Sequence, residues 1–178
     1  FAAWQRDLPG RWSFDATGEI SLKGSTEDRE ISDQYVVIPR VAYRISSQTR
    51  VRVYGALRAR RYDDDPGRNA FNRYVGVEFA ERASPDRRWE ADVRYEVNGT
   101  ESPRQHYGRW TFGTGYSFLL SDSDRVDVEM RFRMQRYPFR LVDVDDTDVQ
   151  RRDHRWIPKV TWTRPLKSGF DLRAGYTF

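Results

Sequence analysis

The chain has 178 residues, of which 38% are hydrophobic, 33% charged and 15% aromatic, with a mean hydropathy of −0.87. Its 10 Tyr, 10 Phe and 6 Trp are too many for a disordered chain. Its 31 basic and 27 acidic residues leave only +4, which favours interleaved ion pairs over the basic field of a nucleic-acid binder. Without cysteine there is no disulfide, thiolate metal site or Cys nucleophile, and no apolar run approaches the ~20 residues of a membrane helix.

The chain opens at Phe1 without an initiator Met or signal peptide, as expected of a processed chain or a fragment. Phe1–Arg6 reads as a strand cut short before the turn Asp7-Leu8-Pro9-Gly10. From there, period-two alternation replaces helical periodicity. Trp12, Phe14, Ala16, Gly18, Ile20 and Leu22 oppose Ser13, Asp15, Thr17 and Glu19. Val37, Pro39, Val41, Tyr43 and Ile45 oppose Arg40, Ala42 and Arg44, although Val36 and Ile38 interrupt the polar side. Val51, Val53, Gly55, Leu57 and Ala59 oppose Arg50, Arg52, Tyr54, Arg58 and Arg60. Val75, Val77 and Phe79 oppose Gly76, Glu78 and Ala80. Trp89, Ala91, Val93, Tyr95 and Val97 oppose Arg88, Glu90, Asp92, Arg94 and Glu96.

The second half repeats the pattern. Trp110, Phe112, Thr114, Tyr116, Phe118 and Leu120 oppose Arg109, Thr111, Gly113, Gly115 and Ser117. Val126, Val128, Met130, Phe132 and Met134 oppose Arg125, Asp127, Glu129, Arg131, Arg133 and Gln135. Trp156–Pro165 alternates less cleanly, and Phe170, Leu172, Ala174, Tyr176 and Phe178 oppose Asp171, Arg173, Gly175 and Thr177. Side chains alternate sides along a strand, so each segment is a ribbon with one apolar and one ionic face.

Short turn-forming connections (Asp7–Gly10, Ser46–Thr49, Ser84–Arg87, Ser121–Asp124, Lys167–Gly169) alternate with long polar ones over 24–34, 63–72, 98–108 and 138–155. The expectation is a single all-β domain over 1–178, an antiparallel up-and-down transmembrane-type β-barrel of nine or ten strands, either whole or as a part of a larger barrel.

Alternation does not say which face is inside. A soluble barrel buries the apolar face, whereas a transmembrane barrel presents it to lipid and lines its lumen with the ionic one. Three features favour the membrane barrel. Aromatics gather near strand ends (Trp12, Tyr35, Tyr62, Tyr74, Trp89, Tyr107, Trp110, Tyr137, Trp156, Tyr176), connections alternate short and long, and opposite charges fall on neighbouring strands, with Arg58 and Arg60 expected near Glu78.

The final segment, with Phe170, Leu172, Ala174, Tyr176 and the terminal Phe178, resembles the C-terminal signal strand of Gram-negative outer-membrane barrels. The hairpin grammar is similar to that class as a whole, with porin-like and exopolysaccharide-exporter barrels nearest in look. The resemblance implies a bacterial outer-membrane location, a lipid bilayer as surroundings and insertion by the outer-membrane assembly machinery, with other protein subunits as further candidate partners. In that class short turns face the periplasm. A periplasmic Phe178 would put every short turn outside, unless further strands follow.

On this reading the lumen is lined by Arg40, Arg44, Arg50, Arg52, Arg58, Arg60, Arg94, Arg131 and Arg133 against Glu78, Glu90, Asp92, Asp127 and Glu129. Trp12, Trp89, Trp110, Trp156, Tyr176 and Phe178 mark the membrane interfaces. The expected role is transport or secretion. The alternatives are a closed structural barrel that scaffolds partners and a soluble ligand-binding barrel, with no enzymatic activity and no cofactor. Because about 8 strands leave room only for side chains, ten alone should give a closed or nearly closed lumen. Asp143, Asp145, Asp146 and Asp148 offer oxygen ligands for Ca²⁺, but without the glycine and spacing of an EF-hand they read as a solvated acidic loop. Asp153-His154 has the form of a proton-transfer pair and lacks any third member, so both His106 and His154 read as surface histidines in long connections. Asn98-Gly99-Thr100 matches a glycosylation sequon that carries little meaning in a bacterial chain.

Overall fold

The computed structural model describes residues 2–8, 10–21, 32–62, 66–121, 123–144, 147–166 and 171–177. At Asp7, Ser32, Asp143, Val144, Thr147 and Asp148 it describes the backbone alone. Ten strands follow one another: β1 (Ala2–Asp7), β2 (Trp12–Ser21), β3 (Ser32–Arg44), β4 (Thr49–Tyr62), β5 (Ala70–Ser84), β6 (Arg87–Thr100), β7 (Tyr107–Leu119), β8 (Arg125–Val144), β9 (Thr147–Pro165) and β10 (Asp171–Thr177). Every alternating run of the sequence lies on one of them. They form a single antiparallel sheet in chain order, β1 to β10. The expected up-and-down meander is therefore present, and Ala2–Asp7, from the segment that read as a strand cut short, forms a tenth strand. The sheet is open: β1 and β10 are each paired on one side only.

Two expected long connections are shorter than the sequence implied, and one is not a loop. Single 3₁₀ turns at Pro66–Arg68 and Pro103–Gln105 close β4–β5 and β6–β7. Pro138–Arg155 is instead strand: β8 and β9 run on as a hairpin to Val144 opposite Thr147. Beyond Gly108 opposite Arg136, β8 has no partner in β7, so this part pairs only with β9. The register slips between Arg136 and Leu141, where Pro138 has no N–H to give to the ladder. His154 thus sits in β9 opposite Met134, not in a loop.

The buried residues decide which face is which. The most buried apolar side chains are Val36, Ala42, Ala56 and Ala80, and the most buried polar ones include Asn72 (1% exposed), Glu96 (3%), Asn98 and Thr111. All of these stand on the ionic face. Val41, Val53, Leu57, Phe71, Val75, Val77, Phe112, Val128 and Trp156 stand on the other face and are 37–64% exposed. A one-layer sheet has nothing packed against either side, so side chains crowd only on the side toward which it curls. The Asn72 Nδ2 on β5 reaches past β6 to within 3.4 Å of the Tyr107 Oη on β7, which requires the ionic face to be concave. Val36, which looked like an interruption of the polar pattern, is one of the residues this crowding buries.

Crowding is tight at Gly76, opposite Tyr54, where a Cβ would lie 2.5–2.9 Å from atoms of the Tyr54 side chain. Gly76→Val should therefore lower stability by about 1–3 kcal/mol, the usual cost of overpacking. In a Tyr54→Ala background most of that loss should vanish, a coupling readable from urea midpoints of the four proteins.

Candidate functional site

The outward face is a continuous apolar band. On seven strands it runs from Trp12 to Ile20, Tyr35 to Tyr43, Val51 to Ala59, Phe71 to Phe79, Trp89 to Val97, Trp110 to Phe118 and Val126 to Met134. The runs are in register. Trp12 faces Tyr43 and Ile20 faces Tyr35, Ala59 faces both Tyr35 and Phe71, and Val51 faces both Tyr43 and Phe79. Trp110 faces Met134 and Phe118 faces Val126. The β6 run is displaced by one outward position on each side, with Trp89 opposite Glu81 and Tyr95 opposite Trp110. Arg73 is the one charged residue within these seven runs, next to the Phe71 edge of the band.

Aromatic contacts edge the band. Trp12 meets Tyr43 (4.7 Å between ring centroids) and Phe79 meets Trp89 (5.3 Å) toward the short turns, and Tyr95 meets Trp110 (4.8 Å) toward the other end. Trp156 packs on Phe132 at 4.4 Å, and Tyr176 is exposed beside Val160. Four aromatics expected at the rims behave otherwise: Tyr62, Tyr74, Tyr107 and Tyr137 share the ionic face, because their even or odd position puts them there. Tyr74 lies edge-on to Tyr54 with the Arg94 guanidinium over its ring. Phe178 lies outside the described residues.

The concave face holds the expected lumen charges in several clusters. Glu96, at its most buried point, takes hydrogen bonds from Arg109 Nη2 (2.6 Å), Tyr107 Oη (3.0 Å) and Asn72 Nδ2 (3.1 Å), with Arg94 at 3.9 Å. Glu78 lies between Arg52 (3.1 Å) and Arg50 (3.4 Å). Arg58 and Arg60 are not its partners: the register sets Arg52, not Arg58, opposite Glu78, and places Arg58 opposite Asn72. Asp15 accepts from Arg40 at 2.7 Å, and Arg40 also donates to Thr17. Toward the short turns, Glu129 meets Lys159 and Arg131, Asp127 meets Arg125 and Ser117, and Arg88 meets Glu90. Asp92 stands opposite Gly113, where a Cβ would strike its carboxylate, and has no ion pair among the described residues. Glu90, Asp92, Gly113, Gly115, Asp127, Glu129 and Arg131 border a cavity of about 290 Å³. Arg44 is exposed at the short-turn end, opposite Arg50.

Asp153 binds Arg151 through both oxygens (2.8 and 2.9 Å), while His154, the next residue, points to the opposite side of β9. The Asp153-His154 arrangement therefore does not exist as a site. His106 lies against the Thr100 carbonyl and edge-on to Phe139. Of the acidic run, Asp145 and Asp146 and the side chains of Asp143 and Asp148 lie outside the described residues, and no group of metal-ligating side chains occurs among the described ones.

At the short-turn rim, Arg164 grips Asp124 with Nε and Nη2, both at 2.6 Å, and ties the β7–β8 turn to the end of β9. Hydrogen bonds from Arg164, opposed by local desolvation and helped by Ser121, hold the Asp124 carboxyl below the usual carboxylate range. A carboxyl depressed in the folded state stabilises above its unfolded value, and that contribution is lost as pH falls through the folded value. The stability gap between wild type and Asp124→Asn should be constant from about pH 5 to 8 and close below about pH 4. Urea midpoints across that range check it.

No protein-family model, curated protein or solved structure matches this chain.

Proposed function

We propose that this chain is a β-barrel wall of the bacterial outer membrane, acting in transport or secretion, with the concave ionic face lining the lumen. One observation carries the reading: the apolar runs face outward and in register, while the charges face inward. Each run has about the ~9–11 residues with which a tilted strand crosses a bilayer. A soluble ligand-binding barrel has the opposite polarity, and in water so large an apolar surface would aggregate. Lipid supplies no partners for backbone groups, so in the membrane β1 and β10 must pair with each other or with other strands. On this reading β10, with Leu172, Ala174 and Tyr176 outward, is the strand that the outer-membrane assembly machinery engages. Arg73 near the band edge is placed to reach the headgroups.

A second reading, a closed barrel that scaffolds partners, draws support from the neutralised Glu96, Glu78 and Asp15 clusters, which fill space as a plug would. Flotation with phospholipid vesicles and a heat-modifiability gel test the membrane reading: the chain should float, and should migrate differently before and after boiling. A chain that stays soluble without detergent contradicts it. Single-channel recording then separates conduit from scaffold.

A further inference from the structure

The ion pairs on the concave face are unevenly distributed. Toward the short turns, acids and bases are nearly matched. Toward the other end they are not. Arg58, Arg60, Arg133 and Arg155 have no carboxylate within 4 Å among the described residues. The acids nearest them are already engaged: Glu96 by Arg109 and Arg94, and Asp153, which also feels Arg155, by Arg151.

These arginines are also set against each other. Arg133 stands directly opposite Arg155, and its strongest electrostatic neighbours are Arg109, Arg94, Arg131 and Arg155. Arg94, Thr111, Arg133 and Arg155 occupy one row across four strands. Like charges directly opposite on a sheet destabilise it. Arg60 on β4 acts electrostatically on Tyr107 on β7, so the curl of the sheet turns the Arg58–Arg60 side toward the Arg133 side. The Nε atoms of Arg58, Arg60, Arg94, Arg109 and Arg133 are buried without a hydrogen-bond partner, as are those of Arg50 and Arg52, but Arg50 and Arg52 share Glu78 whereas Arg58, Arg60 and Arg133 have no carboxylate at hand among the described residues. A buried donor left unsatisfied is costly, and a row of them that also repels itself has no structural purpose.

We propose that this arginine row, with Arg58 and Arg60 facing it, is a binding site for a dissolved solute carrying several phosphate or carboxylate groups. Guanidinium groups present planar pairs of N–H donors that match such oxyanions. The acidic cavity at Asp92 and Glu129 sits next to the row toward the short turns, so an anion entering at the opposite end would halt at the arginines. The site deepens the transport reading above, because only a water-filled concave face can admit the solute.

The test uses the full chain refolded in zwitterionic detergent, titrated calorimetrically with tripolyphosphate and with citrate. Wild type should bind at least one of them. Arg58→Gln/Arg133→Gln should weaken that binding by at least about tenfold. The same double variant should unfold at higher urea than wild type, since it relieves repulsion, and a merely structural pair would shift the other way. Arg44→Gln/Arg82→Gln removes equal charge at the far end of the same face and should leave binding nearly unchanged. Binding of neither anion by folded wild type, or equal loss in both double variants, overturns the site. Vesicle flotation of the same preparation keeps the two readings apart: binding without flotation overturns the membrane reading alone, and flotation without binding overturns the anion site alone.

Discussion

Met130→Arg should prevent the chain from inserting into vesicles, while Arg131→Ala should leave insertion intact. Met130 is outward and 39% exposed, at the centre of the Val126–Met134 run and in one row with Thr114 and Pro158. Near the middle of a bilayer an outward arginine costs about 2–4 kcal/mol. That is a large share of the ~5–15 kcal/mol by which folded proteins are stable. Arg131, the next residue on the same strand, faces inward and is half exposed beside Glu129, so its truncation costs only a screened ion pair. In water the order reverses: an arginine on a solvated convex face would be nearly silent. The heat-modifiability of the two variants in vesicles gives the comparison, and equal damage would contradict the assignment of faces.

The largest loss of stability is expected from Glu96→Ala. Its carboxylate is the common acceptor for Arg109, Tyr107 and Asn72, and Arg94 is close by. Removing it strands two arginines in a crowded place and leaves a phenol and an amide without their acceptor. Breaking a buried pair on one side costs about 3–5 kcal/mol. Glu96→Gln keeps an acceptor for Tyr107 and Asn72 and loses only the charge, so it should fall between wild type and Glu96→Ala in urea unfolding. Arg109→Met combined with Glu96→Gln should recover part of the loss, because the stranded guanidinium is then gone.

The strands and their faces were legible because a period of two is written into nearly every residue. Val126–Met134 is a plain case: one glance separates its valine, methionine and phenylalanine side from its arginine and acid side. Four features were not legible. The β8–β9 hairpin was hidden because Arg140, Asp143, Asp145 and Asp146 look like loop residues and Pro138, where the register slips, interrupts the alternation that Val142 and Val149 resume. The partners of Glu78 were misread because register, which alternation does not encode, decides between Arg52 and Arg58. Tyr74, Tyr107 and Tyr137 looked like rim aromatics, and only their parity against Glu96 and Arg94 shows that they belong inside. The unpaired state of Arg58 and Arg133 was likewise invisible, since a count of charges near balance says nothing about where the balance fails.

The central claim is that valine, phenylalanine and tryptophan face lipid while arginine and the acids face water. The absence of native cysteine permits a direct measurement. Single cysteines placed in turn from Val126 to Met134 in vesicle-inserted protein are labelled with an environment-sensitive fluorophore and quenched with a nitroxide-bearing lipid. The account predicts lipid quenching at 126, 128, 130, 132 and 134, and reaction with a water-soluble thiol reagent at 127, 129, 131 and 133. Lipid quenching at the odd positions, or no alternation at all, would contradict it.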